Sequence, residues 1–264
     1  MNVIKHEMKA NLIALILWAF SLVAIIFLVS FEFEIFQGNQ EIQDFMDSPV
    51  FQQFYSALGA GSVNIMTPEG FLSLLSIYIY LPLSIHAGLL GAGIISKEEK
   101  NKTAEYLFTL PVSRTKVLLQ KFIAGFIYIL IANILVNGSA MLIFGRFDVS
   151  DSYYIFLRNL SIGVFITQIV FYSIGLGLAS TLKDYKKSGS ITIGVLLSTY
   201  MISVLSNIAD ESNFLRFFTP FRYFAAPEMI TNEWSFIYFL LAFFIIGVGI
   251  SSLFYFYRKR DLYI

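Results

Sequence analysis

The sequence contains no cysteine and few charged residues, and each shortage excludes a class of protein. Without cysteine the chain can form no disulfide framework and no thiolate chemistry, so a disulfide-stapled secreted domain is excluded. Charged residues make up only 14% of the 264 positions, against about 25% in soluble domains. Hydrophobic residues make up 57%, whereas a disordered chain needs low hydrophobicity and high net charge. This composition, with a mean hydropathy of +0.71, indicates a membrane protein.

Six long runs without Asp, Glu, Lys or Arg account for the hydrophobicity. A transmembrane helix needs about 20 apolar residues to cross roughly 30 Å of hydrocarbon, and each run meets or approaches that length. The sequence therefore predicts an all-α membrane protein, with residues 1–264 forming one transmembrane domain of six helices. The predicted spans are Leu12–Phe31, Phe71–Ile95, Phe122–Phe144, Leu160–Leu182, Ser188–Ala209 and Trp234–Tyr257.

The net charge of zero conceals a strong asymmetry between the two sides of this predicted domain. The N-terminus, the second and fourth loops and the C-terminus carry fourteen basic and six acidic residues, a balance of +8. The first, third and fifth loops carry the opposite balance, −8. Because basic residues near span ends stay in the cytoplasm, we predict a multi-pass protein of the cell membrane with both termini cytoplasmic. The chain lacks the overall basic bias that accompanies nucleic-acid binding.

The second loop, between the second and third spans, is the most informative segment of the sequence. A cluster of charged residues precedes a short predicted helix, Thr103–Leu110. Pro111 disfavours helical geometry at Leu110, and Ser113 can cap a second helix that continues into the third span. A short helix joined to two spans could act as a lever that transmits movement into the membrane.

This loop resembles the cytoplasmic loop of type-2 ABC transporter permeases. Residues Lys97 to Arg114 read KEEKNKTAEYLFTLPVSR, which is similar to the family's E-E-x-x-G-T-x-E-x-L-x-x-x-P-x-S-R. Lys102 departs from the pattern, because it stands where the family usually has Gly. TPFRYF at Thr219–Phe224 and RKRDL at Arg258–Leu262 resemble two further elements of the family. The matching loop positions are Glu98, Glu99, Thr103, Glu105, Leu107, Pro111, Ser113 and Arg114.

The resemblance implies the type-2 ABC exporter permease fold, in which Thr103–Leu110 is a cytoplasmic coupling helix. Two permeases, identical or different, would work with two cytoplasmic ATPase subunits, and these subunits would bind ATP and Mg. The sequence has no Walker A motif, so we expect no enzyme activity and no cofactor in this chain. The residues expected to couple the permease to the ATPase are Glu98, Glu99, Thr103, Glu105, Tyr106, Leu107, Leu110, Pro111 and Arg114.

The resemblance further implies ATP-driven export of an amphipathic or hydrophobic substrate, such as a peptide, an antibiotic or a lipid-like molecule. Alternative interpretations are a permease for polysaccharide, haem or metal-maturation export, and a membrane sensor or scaffold that pairs with an ATPase without transporting. An intramembrane aspartyl protease would need two Asp residues within the spans, and the spans contain none. No group of His and acidic residues has metal-ligand spacing, so we expect no metal site.

Four polar side chains within the predicted spans are candidates for a substrate pathway. His86 is either a functional group or a neutral imidazole bonded to a neighbouring helix or to the carbonyl that Pro82 frees. Asn133 and Asn137 in the third span and Gln168 in the fourth can line a pathway or bond across helices.

Two further patterns concern packing. Small residues recur at Ser84, Gly88 and Ala92 in the second span and around Gly175 in the fourth, and such stripes predict a close approach of helix backbones. The stretch Phe214–Met229 is rich in Phe and contains two Pro. We predict that it forms a re-entrant or interfacial hairpin that closes the outer end.

Overall fold

The computed structural model describes residues 3–37, 39–57, 63–100, 113–182, 184–208 and 213–259. These residues form twelve helices and no strand, which confirms the predicted all-α class. Six of the helices are long and apolar enough to cross a membrane, as predicted. They are α1 (Val3–Gln37), α5 (Ile77–Lys100), α6 (Arg114–Phe144), α7 (Asp151–Thr181), α8 (Tyr185–Ile208) and α12 (Phe236–Lys259).

Six short helices fill two connections at the end of the bundle opposite the N-terminus. Polar side chains start two of them: Asn39 Oδ1 accepts from the amides of Glu41 and Ile42, and Thr67 Oγ1 accepts from the amide of Gly70. The short helices are α2 (Gln40–Met46), α3 (Pro49–Ala57), α4 (Pro68–Leu74), α9 (Asn213–Arg216), α10 (Pro220–Tyr223) and α11 (Ala226–Ile230).

The predicted second span is wrong at its start. Thr67 and Pro68 begin the separate helix α4, which ends because Leu75 leaves α-helical geometry with φ −88° and ψ 4°. The long helix α5 begins only after this break and continues past the predicted end at Ile95. Within the described residues, the other five predicted spans lie inside long helices apart from at most two terminal residues.

The stretch before the last long helix forms three short helices, α9 to α11, in place of a simple hairpin. Pro220 and Pro227 each stand in the first turn of one of these helices, the position where a missing backbone N–H is tolerated. Phe221 and Phe224 are buried, and the Tyr80 hydroxyl on α5 donates to the Phe224 carbonyl at 2.6 Å. The segment is therefore packed onto the bundle.

Helix α7 lies at the centre of the bundle and contacts α5, α6, α8 and α12. Leu160, Val164 and Leu176 on α7 are completely buried. In contrast, α1 and α12 expose large apolar side chains such as Phe20 and Phe243. Exposed apolar faces of this extent contact lipid or other protein subunits.

The contact between α5 and α7 depends on glycine. A Cβ atom on Gly91 would lie 2.4 Å from the Tyr172 carbonyl oxygen, and one on Gly175 would lie 2.3 Å from the Gly88 carbonyl oxygen. The two backbones touch, which leaves no room for a side chain at either place. The close packing predicted from the small-residue stripes is confirmed.

We expect Gly175→Ala to destabilise the protein by about 1–3 kcal/mol, because the new methyl group forces α5 and α7 apart. The measurement is the thermal unfolding of the purified chain in mild detergent. Gly194→Ala on α8 is the matched control, because a Cβ atom there would meet nothing within 4 Å. Equal melting temperatures for the two variants would contradict the steric explanation.

Candidate functional site

Three charged side chains form a buried cluster where the second loop meets the membrane helices. The Glu7 carboxylate on α1 is fully buried and accepts from Lys121 Nζ on α6 at 2.6 Å. It also accepts from Lys97 Nζ on α5 at 3.0 Å. Lys121, which is 1% exposed, donates in addition to the Ile94 carbonyl on α5 at 3.0 Å. The cluster therefore links α1, α5 and α6 at one point.

The Glu7 cluster lies where the second loop leaves α5 and enters α6. Lys97 lies near the end of α5 and Lys121 lies in the first turns of α6, so the cluster is formed from both ends of the second loop. The start of α1 is tied to α6 by two more bonds: the Val3 amide donates to Gln120 Oε1 at 3.1 Å, and the Tyr128 hydroxyl donates to a carbonyl of α1. Both ends of the loop are therefore held against the first turns of α1.

The energetics of the cluster depend on burial. Desolvating two charges costs several kcal/mol for each ion, and only close geometry with additional hydrogen bonds offsets that cost. Glu7 and Lys121 meet this condition through their short contact and the bond to Ile94. Lys97 is 22% exposed and remains partly hydrated. Loss of Glu7 would remove the buried carboxylate that both Lys121 and Lys97 contact.

We expect Glu7→Gln to destabilise the protein by about 3–5 kcal/mol, the usual consequence of breaking a buried ion pair from one side. Lys97→Met should have a much smaller effect, because Lys97 is partly exposed and Glu7 keeps its bond to Lys121. Thermal unfolding of both variants in detergent measures the difference. If Glu7→Gln were as stable as Lys97→Met, the buried pair would not hold the three helices together.

The predicted coupling residues lie partly within the described structure. Glu98 and Glu99 belong to the end of α5, and Arg114 is the exposed first residue of α6. Ser113 Oγ accepts from the Lys116 amide at 3.4 Å, so the predicted helix start at Ser113 is confirmed. The other predicted coupling residues lie outside the described residues: Thr103, Glu105, Tyr106, Leu107, Leu110 and Pro111.

Three of the four predicted pathway residues lie together between α6 and α7. Asn133 Nδ2 donates to Gln168 Oε1 at 3.2 Å, and the Ser161 hydroxyl donates to Asn133 Oδ1 at 2.8 Å. Asn137 Nδ2 donates to the Asn133 carbonyl at 3.0 Å. Within the described part of the chain, Asn137 Oδ1 and Gln168 Nε2 are buried and have no hydrogen-bond partner. These amides join two helices inside the bundle.

His86 lies apart from the amides. Its ring is buried on α5 and faces Trp18 of α1, with 5.9 Å between the ring centroids. Its Nδ1 atom has no hydrogen-bond partner among the residues that the structure describes. In that same part of the chain, no group of His, Asp and Glu side chains could hold a metal ion.

The Glu7 cluster was not apparent from the sequence. Lys97 and Lys121 look like ordinary basic residues beside membrane spans, and Glu7 lies between two Lys residues near the N-terminus. One signal was present, because Glu7 is the only acidic residue before the first span. It does not reveal which basic residue becomes its partner.

The comparison with protein families agrees with the helices and with the resemblance of the loop. A family model described as ABC-2 family transporter protein matches residues 1–228, which include five of the six long helices and the whole second loop. No curated protein matches the chain. The family implies association with a membrane and with an ABC ATPase carried by another subunit. The chain therefore belongs to the ABC-2 transporter family, as the permease subunit of an ABC transporter.

Proposed function

We propose that this permease is the membrane-spanning half of an ATP-driven exporter, with both termini and the second loop in the cytoplasm. The charge balance of +8 on one side and −8 on the other supports this orientation. The proposed substrate is amphipathic or hydrophobic, as a peptide, an antibiotic or a lipid-like molecule would be. Predicted spans without any fixed charge support such a substrate.

The proposed coupling element is Thr103–Leu110, which would rest on an ATPase subunit. Glu98, Glu99 and Arg114 would anchor this element at its two ends. Two ATPase subunits would bind ATP and Mg and would act on two permeases. Closure of the ATPases on ATP would then displace both coupling elements together.

The Glu7 cluster is the observation that best supports this mechanism. Lys97 and Lys121 hold the two ends of the loop to one carboxylate, at 3.0 and 2.6 Å. A force on the loop would therefore move α1, α5 and α6 as one unit and would not be dissipated in a single helix. Rigid transmission of this kind is what a coupling mechanism requires.

The double substitution Glu105→Lys with Leu107→Asp tests the coupling assignment. It reverses a charge and places a carboxylate at the proposed contact, and like-charge or desolvated contacts of this kind cost several kcal/mol. We expect a folded, membrane-inserted chain whose binding to the ATPase falls by at least about tenfold. The measurement is the amount of ATPase that copurifies with a tagged permease from native membranes.

The matched control is Glu41→Lys with Val50→Asp, which makes the same changes of charge at exposed positions of the first loop. This control should copurify with as much ATPase as the unaltered permease does. Unchanged copurification in the second-loop variant would remove the coupling assignment. If the intact complex hydrolysed ATP at a rate that no candidate cargo altered, a sensor or scaffold would be favoured over an exporter.

A further inference from the structure

A cavity lies at the end of the bundle opposite the Glu7 cluster. Its volume is about 140 Å³, far more than the roughly 15 Å³ that one water molecule needs. It is lined by α4 and α5 on one side, α8 on another, and the α10–α11 segment on a third. Ile77, Tyr200 and Val204 form part of its apolar wall, and Ser73 and Arg222 are among its polar groups.

Arg222 is the cationic group of this cavity, and its hydrogen-bonding capacity is incompletely used. Only 11% of its side chain is exposed. The Glu228 carboxylate lies 3.9 Å from Nη2, which is too far for a hydrogen bond. Arg222 Nε is buried and has no partner in the described part of the chain. A guanidinium stays charged and carries five donors, so its burial without acceptors is unfavourable.

Two other walls of the cavity also contribute polar atoms without partners. Ser73 on α4 is 3% exposed, and its hydroxyl is buried without a hydrogen bond to the described residues. Asn207 on α8 has a buried amide oxygen in the same condition. Ser73, Asn207 and Arg222 thus line one cavity from three separate elements, and each has a buried polar atom without a partner among the described residues.

The charges around Arg222 favour an anion. Arg216 and Arg222 both interact with Glu228, and Glu233, which also interacts with Glu228, is exposed to solvent. Burial raises the pKa of Glu228, and the two arginines partly oppose that shift. Burial lowers the pKa of Arg222, and Glu228 partly opposes that shift. Among the described residues that are not fully exposed, two guanidinium groups therefore interact with one carboxylate, which favours an anion beside Arg222.

The outer surface of α8 adds an apolar feature next to this charge. Met201 and Leu205 are 51% and 57% exposed, and they follow Tyr200 and Val204 of the cavity wall in the sequence. We propose that the cavity binds the oxyanionic head group of an amphiphile, whose apolar chain lies along this surface of α8. Arg222 would donate charge-assisted hydrogen bonds to the phosphate or carboxylate oxygens. The site is independent of the coupling element and of the direction of transport.

Binding of radiolabelled dodecyl phosphate to the full chain, in nanodiscs of phosphatidylcholine, tests this site. We expect saturable binding that Arg222→Gln weakens at least about tenfold. Arg146→Gln is the matched control, because Arg146 lies at the same end of the bundle and pairs with Glu34 outside the cavity. This control should bind dodecyl phosphate like the unaltered chain.

A second variant tests the site independently, in case Arg222→Gln fails to fold. Val204→Phe fills the cavity while Arg222 and Glu228 remain in place. We expect it to lose dodecyl phosphate binding while it keeps its thermal stability. Absence of saturable binding, or equal losses in Arg222→Gln and Arg146→Gln, would overturn the proposal.

Competition experiments identify the source and chemistry of the ligand. Displacement by inorganic phosphate at the same concentration would overturn the requirement for an apolar chain. Displacement by neutral dodecyl maltoside would overturn the requirement for an oxyanion. Competition by phosphatidylglycerol in the nanodisc would support the site with a membrane lipid as its occupant. Binding that phosphatidylglycerol leaves unchanged would support the site with a non-lipid amphiphile.

Discussion

A backbone amide inside hydrocarbon has no water to bond with, and this constraint shapes every long helix of the permease. Each span therefore forms its backbone hydrogen bonds internally, and several buried hydroxyls also bond to a carbonyl of their own helix. Thr167 donates to the Gly163 carbonyl at 2.9 Å, and Ser173 donates to the Val170 carbonyl at 2.7 Å, both within α7. Because the backbone bonds are formed within each helix, helices can pack through bare backbone, as α5 and α7 do at Gly91 and Gly175.

Buried charges are paired differently at the two ends of the bundle. At the end formed by the second loop, Glu7 satisfies Lys121 and Lys97 at hydrogen-bond distance, and three helices become one unit. At the other end, Arg222 stays 3.9 Å from Glu228 beside a cavity, with a donor left over. A cluster whose charges are hydrogen-bonded to one another suits the transmission of force. A cluster with an unused donor suits a ligand that accepts a hydrogen bond from it.

Much of the fold was predictable because the bilayer imposes a simple length and composition on each span. The six long helices and the start of α6 at Ser113 follow from this and from capping chemistry. The break between α4 and α5 was not predicted. Both helices are apolar there, and only the local geometry of Leu75 separates them. The motif in the second loop resembles the loop of type-2 ABC transporter permeases. It therefore indicated the family that the comparison then showed.

The sequence by itself determined the number of spans, the unequal charge of the two sides and the membership in a permease family. These properties depend on composition and on contiguous motifs, so no knowledge of contacts is needed. The tertiary structure alone decided that Glu7 meets Lys121 and that Ser73 and Arg222 share a cavity. Each of these pairs is separated by more than a hundred residues, and helix packing rather than local preference brings them together.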